Sequence, residues 1–159
     1  MIRQLSRTEL PCVLPLQQQV QALDVANEAR YFHVNAAPEA YTQHLIQAMD
    51  KEGAWVLAAF RRKRAIGYLS AFPDTRPSDT YCCARNEVIL DQICVDAQWR
   101  GQGVGRALVA AFERDALAQG FNAWRATHWS FNAASSALLE RCGAVPSVIT
   151  RRKVLSLDR

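Results

Sequence analysis

One junction constrains this chain more than any other. An apolar run, Val88 to Val95, leads into Arg100-Gly101-Gln102-Gly103-Val104-Gly105, and this turn opens an amphipathic segment from Val104 to Gln119. The order reads as strand, Gly-rich turn and helix. Such a turn leaves several backbone N–H groups pointing outward at the positive end of a helix dipole, an arrangement suited to a pyrophosphate. Glycines also serve tight turns that bind nothing, so the turn alone is an open signal. Two nucleotide motifs are excluded by the text. The dinucleotide fingerprint G-x-G-x-x-G has Leu108 at its third glycine position. The phosphate-binding P-loop requires a Lys after its last glycine, and none follows Gly105.

With 159 residues, 50% hydrophobic and 21% charged, the chain suits one domain with a proper core, so residues 1–159 are expected to form a single unit. No apolar stretch is long enough to cross a bilayer, and Met1-Ile2-Arg3-Gln4-Leu5-Ser6 lacks the apolar core of a secretory signal. The expectation is a soluble, cytoplasmic protein with no membrane partner. Five cysteines (Cys12, Cys82, Cys83, Cys94, Cys142) are an odd number without C-x-x-C spacing, which predicts free thiols and no metal site. Lys and Arg number 19 against 15 Asp and Glu, a net charge of +4 that fits an anionic phosphate-bearing cofactor. The basic residues are scattered and no nucleic-acid motif accompanies them, so no nucleic-acid partner is expected. Arg61-Arg62-Lys63-Arg64 falls between two strand-like segments and reads as a solvated hairpin turn.

Along the chain, Ile2 to Leu5 reads as a first strand, and Thr8-Glu9-Leu10-Pro11 as a helix start leading to a helical region through Asn27. Pro38 opens a second helix. Trp55 to Phe60 and Ala65 to Phe72 form a hairpin, and Pro73 to Arg85 reads as a turn-rich connection. Ala123 to Thr127 is a further strand, Asn132 caps a helix running to Arg141, and Pro146 to Leu157 supplies one or two closing strands. The sum is a mixed α/β fold of about six or seven strands and about four helices.

Downstream of R-x-x-G-x-G, the sequence Asn132-Ala133-Ala134-Ser135 is followed by Leu138-Leu139-Glu140-Arg141-Cys142-Gly143-Ala144. Together, over roughly residues 87 to 145, these segments resemble the two signatures of the GCN5-related N-acetyltransferase (GNAT) superfamily. The resemblance implies the GNAT fold, an α/β mixed sheet of mostly antiparallel strands with a splay between the strand at 88–95 and the strand at 123–128. It implies acetyl-CoA as cosubstrate and transfer of its acetyl group to a primary amine of a small molecule or protein, by direct attack in a ternary complex. A homodimer is a further implication. An acyl-CoA sensor without turnover is the alternative.

The resemblance also assigns residues. Backbone groups of Gly101, Gln102, Gly103, Val104, Gly105 and Arg106 would receive the pyrophosphate, with Arg100 shaping the turn or facing phosphate. The pantetheine arm would lie along Ile93, Cys94 and Val95, and the N–H of Ile93 or Cys94 would polarise the thioester carbonyl. Asn132 would bond the arm or cap its helix, or both, with Ser135 beside it. An alkylammonium must lose a proton before it attacks, and Asp91 is expected as the base, with Glu87 as amine anchor or second-choice base. Strand alternation puts Glu87, Ile89, Asp91, Ile93 and Val95 on one face, the two carboxylates about 13 Å apart. Leu139 stands where many members carry a Tyr that protonates the thiolate. A leucine donates no proton, so the thiolate would leave unassisted or take one from water. Tyr31, Phe32, His33, Tyr41 and His44 fall on the acceptor side in this scheme, with His33 and His44 read as structural and His128 as a candidate contact, while the four tryptophans read as core or rim residues.

Overall fold

The computed structural model describes residues 1–34 and 36–155. Its centre is a five-stranded sheet in the order β1-β2-β3-β4-β5. The strands are Ile2–Gln4, Trp55–Arg61, Arg64–Arg76, Arg85–Val95 and Ala123–Ala126, and only the β4–β5 pair is parallel. β2 and β3 are apolar on both faces because both are covered. Trp55, Leu57 and Leu69 pack with Val88, Leu90 and the Leu108, Val109 and Phe112 stripe of helix α3 (Val104–Ala118). Val56, Ala58, Tyr68 and Cys94 pack on the other side against Leu10, Val13, Leu16 and Leu45. That second layer is built from a 3₁₀ turn, Arg7–Val13, and helices α1 (Leu14–Glu28) and α2 (Pro38–Met49). Helix α4 (Ala133–Arg141) lies beside α3.

The local signals act where expected, with shifts. The capping residue of the 3₁₀ turn is Ser6 rather than Thr8: its N–H donates to Glu9 Oε2 at 2.9 Å. The hydrogen bond from Arg3, then those from Ser6, hold the Glu9 carboxyl down at about 2. The connection expected over Pro73 to Arg85 is shorter, because β3 runs on to Arg76 and pairs with the start of β4. That extension carries an ionic cluster: Asp74 meets Arg125, Arg85 at 3.2 Å and Arg76 at 3.5 Å.

Two expectations fail. Five strands form among the described residues, not six or seven, and residues 144–155 contain none, so the closing strands over Pro146 to Leu157 are absent as far as that range is described. Ser156 and Leu157 lie outside the described residues. The cause is the lack of a ladder partner: Val148 and Ile149 are β-formers, but they stand 84% and 74% exposed, and propensity without pairing and burial does not make a strand. The strand expected to reach residue 127 or 128 stops at Ala126.

Candidate active site

The β4–β5 pairing covers Glu87 to Leu90 only, opposite Ala123 to Ala126. Beyond Leu90 the two strands part, so one edge of residues 91–95 is left open, and the expected splay is present. The direction of backbone groups along this edge follows from one bond. Asp96 N–H donates to Ile66 O at 2.9 Å, which turns the backbone of 92, 94 and 96 toward β3 and that of 93 and 95 toward the gap. Of the two candidate donors, Ile93 therefore offers its N–H to the splay and Cys94 does not. Cys94 is also buried on the α1 side, where its thiol donates to Leu16 O at 3.4 Å, and burial pushes it up to about 11.

The expected single face of Glu87, Ile89, Asp91, Ile93 and Val95 is broken. Gln92 pairs with Ser70 and Leu90 with Ala71, so Asp91 is an extra residue in β4, a β-bulge. Before it, Val88 and Leu90 face α3. After it, Ile93 and Val95 do. Gln92 and Cys94 consequently turn to the α1 side, where the Tyr68 hydroxyl donates to Gln92 Oε1 at 2.9 Å. Glu87 and Asp91 still share a face with each other, and not with Ile93 and Val95.

Their surroundings differ. Glu87 is engaged by Arg125 Nε at 3.5 Å and Arg85 Nε at 3.9 Å. Asp91 is half-buried and has no ion pair among the described residues. Its charge and that of Asp24 on α1 both reach the Tyr68 phenol and, after burial itself, help to push that group well above its ordinary value. Burial also raises the Asp24 carboxyl. Nothing local in the sequence marks Asp24, a polar residue of α1, as close enough for its charge to reach the Tyr68 phenol.

The Gly-rich turn forms as the sequence predicts. A short 3₁₀ turn, Ala97–Trp99, is capped by the 3%-exposed Asp96, which accepts from Gln98 N–H at 3.1 Å and pairs with Arg64 at 2.6 Å. The basic hairpin is thus partly anchored rather than simply solvated, and Arg61 lies over the Trp99 ring at 4.9 Å. Gly101 and Gly103 have φ of +73° and +81°, which L-residues adopt at a cost. Gly103 is the N-cap of α3, and the first bond into the helix runs from Ala107 N–H to Gly103 O at 3.0 Å. The N–H groups of residues 101–106, those of Gln102 and Arg106 included, find no acceptor among the described residues. Gly105 has a different reason to be glycine: an added Cβ would stand 3.1 Å from Leu138 of α4 and 3.6 Å from Val95. Arg100 Nε donates to Val95 O at 3.0 Å, fixing the turn against the open edge of β4.

Asn132 caps α4 through Oδ1, which accepts from Ser135 N–H at 3.0 Å. Leu139 is buried in the core beside α3. Trp129, a rim aromatic, lies 37% exposed, edge-on to Tyr31 and Phe32, so the loop after β5 meets the loop after α1. His128 Nδ1 lies 3.0 Å from Trp129 O, and Tyr41 O accepts from Gln17. No group of three or more metal-ligating side chains occurs among the described residues, and no described helix is long and apolar enough to cross a membrane.

Comparison with known proteins adds independent findings. The model of the acetyltransferase (GNAT) family matches residues 20–144. No curated protein matches the sequence significantly. Among solved structures, a tetramutant of the BH1408 protein from Bacillus halodurans superposes with a TM-score of 0.87 at 22% identity, over 98% of this chain and 99% of that one. An aminoglycoside N-acetyltransferase, AAC(6')-Iy in complex with CoA, gives 0.67 at 22% identity, over 98% and 100%. A transcriptional regulator from Bacillus halodurans C-125 gives 0.73 at 15% identity, over 98% and 99%.

Proposed function

Because the chain belongs to the acetyltransferase (GNAT) family, we propose that it moves an acetyl group from acetyl-CoA to a primary amine, by direct attack with both substrates bound. The observation that carries this reading is the run of unpaired N–H groups at residues 101–106 next to the open edge of β4. These features fit a diphosphate and an extended thioester arm respectively: the first by charge and donor count, the second by offering backbone groups that β5 leaves unpaired. Acetyl-CoA supplies the activated acyl carbon. Residues 101–106 hold the diphosphate, while Arg100, by bonding Val95 O, sets the angle between the turn and the strand. The Ile93 N–H donates to the thioester carbonyl oxygen as negative charge grows there.

Asp91 takes the proton from the incoming ammonium, directly or through a water, so that the nitrogen lone pair is free. Supporting this reading, Asp91 directly follows Leu90, the last residue of β4 paired with β5, and it has no ion pair among the described residues. Glu87 is engaged by two arginines and acts at most as an electrostatic anchor. Asn132 spends Oδ1 on its cap, which leaves its Nδ2 for the pantetheine arm. The Asp91 carboxylate, without an ion pair among the described residues, favours a cationic acceptor, and the aminoglycoside acetyltransferases of the same fold accord with that class. The whole chain acts as one catalytic domain.

The test is release of free thiol from acetyl-CoA in the presence of polyamines, amino-sugars, amino acids and peptide amines. Release above background hydrolysis with at least one class is expected, and none with any class would refute the transferase reading. The neighbouring transcriptional regulator motivates one alternative, a CoA-dependent sensor. That reading predicts thermal stabilisation by acetyl-CoA with no turnover.

A further inference from the structure

The loops after α1 and β5 gather aromatic rings around one guanidinium. Trp129 stands edge-on to Tyr31 and Phe32, with centroids 5.7 Å apart in each case, and stacks on Phe131 at 5.8 Å. Arg152 Cζ lies 4.4 Å from the centroid of Tyr31 and 5.9 Å from that of Trp129. Its Nη2 donates to Glu28 Oε2 at 2.8 Å. Aromatic faces with a carboxylate alongside select a planar or alkylated cation, which keeps both the π contact and the charged hydrogen bond.

The occupant is the chain's own tail, and its hold is slight. Residues 144–155 run without helix or strand, and among the described residues of this tail only Arg152 forms an ion pair. The tail's valines and isoleucine are exposed, so displacing Arg152 gives up no ladder and little apolar burial. The site itself is built from the body of the protein: Glu28 ends α1, Tyr31 follows it, and Trp129 follows β5. It is also continuous with the proposed chemistry. Trp129 lies three residues past Ala126, which ends β5 and pairs with Leu90 at the point where the splay begins.

We infer that Glu28, Tyr31 and Trp129 form a subsite for the second positive charge of a dicationic acceptor, and that Arg152 fills this subsite in the free protein as a displaceable internal cation. The identification of the cation as acceptor rests on the acetyl-transfer reading. The cation subsite does not.

Isothermal titration of the whole chain, without cofactor, with agmatine (an alkylamine bearing a guanidinium) tests the inference. Arg152→Ala is expected to bind agmatine about five- to tenfold more tightly than the parent, because the internal competitor is gone. In the Arg152→Ala background, Glu28→Gln and Trp129→Leu are each expected to weaken agmatine about fivefold or more, while butylamine, with one charge, responds to none of the three. If Trp129→Leu fails to fold by circular dichroism, Tyr31→Leu supplies the aromatic arm. Absence of agmatine binding, or equal affinity in parent and Arg152→Ala, or indifference to Glu28→Gln, overturns the inference. A parallel titration with CoA separates the two readings. Loss of CoA affinity with the agmatine pattern intact removes the transferase and leaves the cation subsite, and the converse removes only the subsite.

Discussion

Replacing Gly103 by alanine separates what the turn does for the fold from what it does for a ligand. Gly103 has φ +81°, and an added Cβ meets no atom within 4 Å. The cost in the free protein is therefore conformational rather than steric. Holding an L-residue in the left-handed region costs about 1–2 kcal/mol, and the stiffer unfolded chain returns about 0.4–1 kcal/mol. The net loss is about 1 kcal/mol, or about 3 °C in Tm for a domain of this size. Gly120, at φ +86° past the far end of α3, also has nothing within 4 Å of its Cβ. Gly120→Ala should thus destabilise equally. The two variants differ in what the new methyl group faces. At position 103 it stands in the run of unpaired N–H groups, where losing one charge-assisted hydrogen bond at about 1.5–3 kcal/mol lowers CoA affinity about tenfold to about 150-fold. Thermal melts and calorimetric CoA titrations of both variants decide the matter. Equal CoA affinity in Gly103→Ala and Gly120→Ala would refute the reasoning, whatever their stabilities.

Other outcomes follow from the same geometry. Asp91→Asn should cut the rate at neutral pH by about 10²-fold or more, with partial recovery as pH rises toward the amine's own pKa near 10, whereas Glu87→Gln should have a much smaller effect; pH–rate profiles of both test this. Asp74, held below the ordinary carboxylate range by Arg125 first and also by Arg85 and Arg76, contributes stability that is present above its unfolded pKa and lost as pH falls through its depressed folded value. Asp74→Asn should therefore cost about 1 kcal/mol near neutrality, less in high salt, and progressively less as pH falls through the depressed value, as denaturant melts across pH would reveal. Alkylation with iodoacetamide at pH 8 should label the exposed Cys82 and Cys83 well before Cys94, whose burial holds it at about 11; peptide mass spectrometry reads the order.

The turn, α3 and α4 were legible because their signals are local. Gly103 and Gly120 bracket α3, Asn132 caps α4, and each acts through its own backbone or the next few residues. The Asp91 bulge was not legible. Alternation from Glu87 to Val95 is unbroken in the text, and the extra residue is set by how β4 pairs with Ser70 and Ala71. The closing strands misled for the opposite reason: Val148, Ile149, Val154 and Leu155 have strand propensity, but no edge receives them. The cluster of Glu28, Tyr31, Trp129 and Arg152 joins residues over a hundred positions apart, a proximity that periodicity cannot express. The reach of the Asp24 charge to Tyr68 likewise depends on the packing of α1 on the sheet, which the sequence does not display.

Acetyl transfer by this chain requires that main-chain amides at the start of α3 receive a diphosphate. Titrating ¹⁵N-labelled protein with CoA and following amide resonances tests this directly. The largest shifts are expected at Gln102, Gly103, Val104 and Gly105, with a second set at Ile93 and Val95. No binding, or shifts that leave residues 102–105 in place, would contradict that requirement.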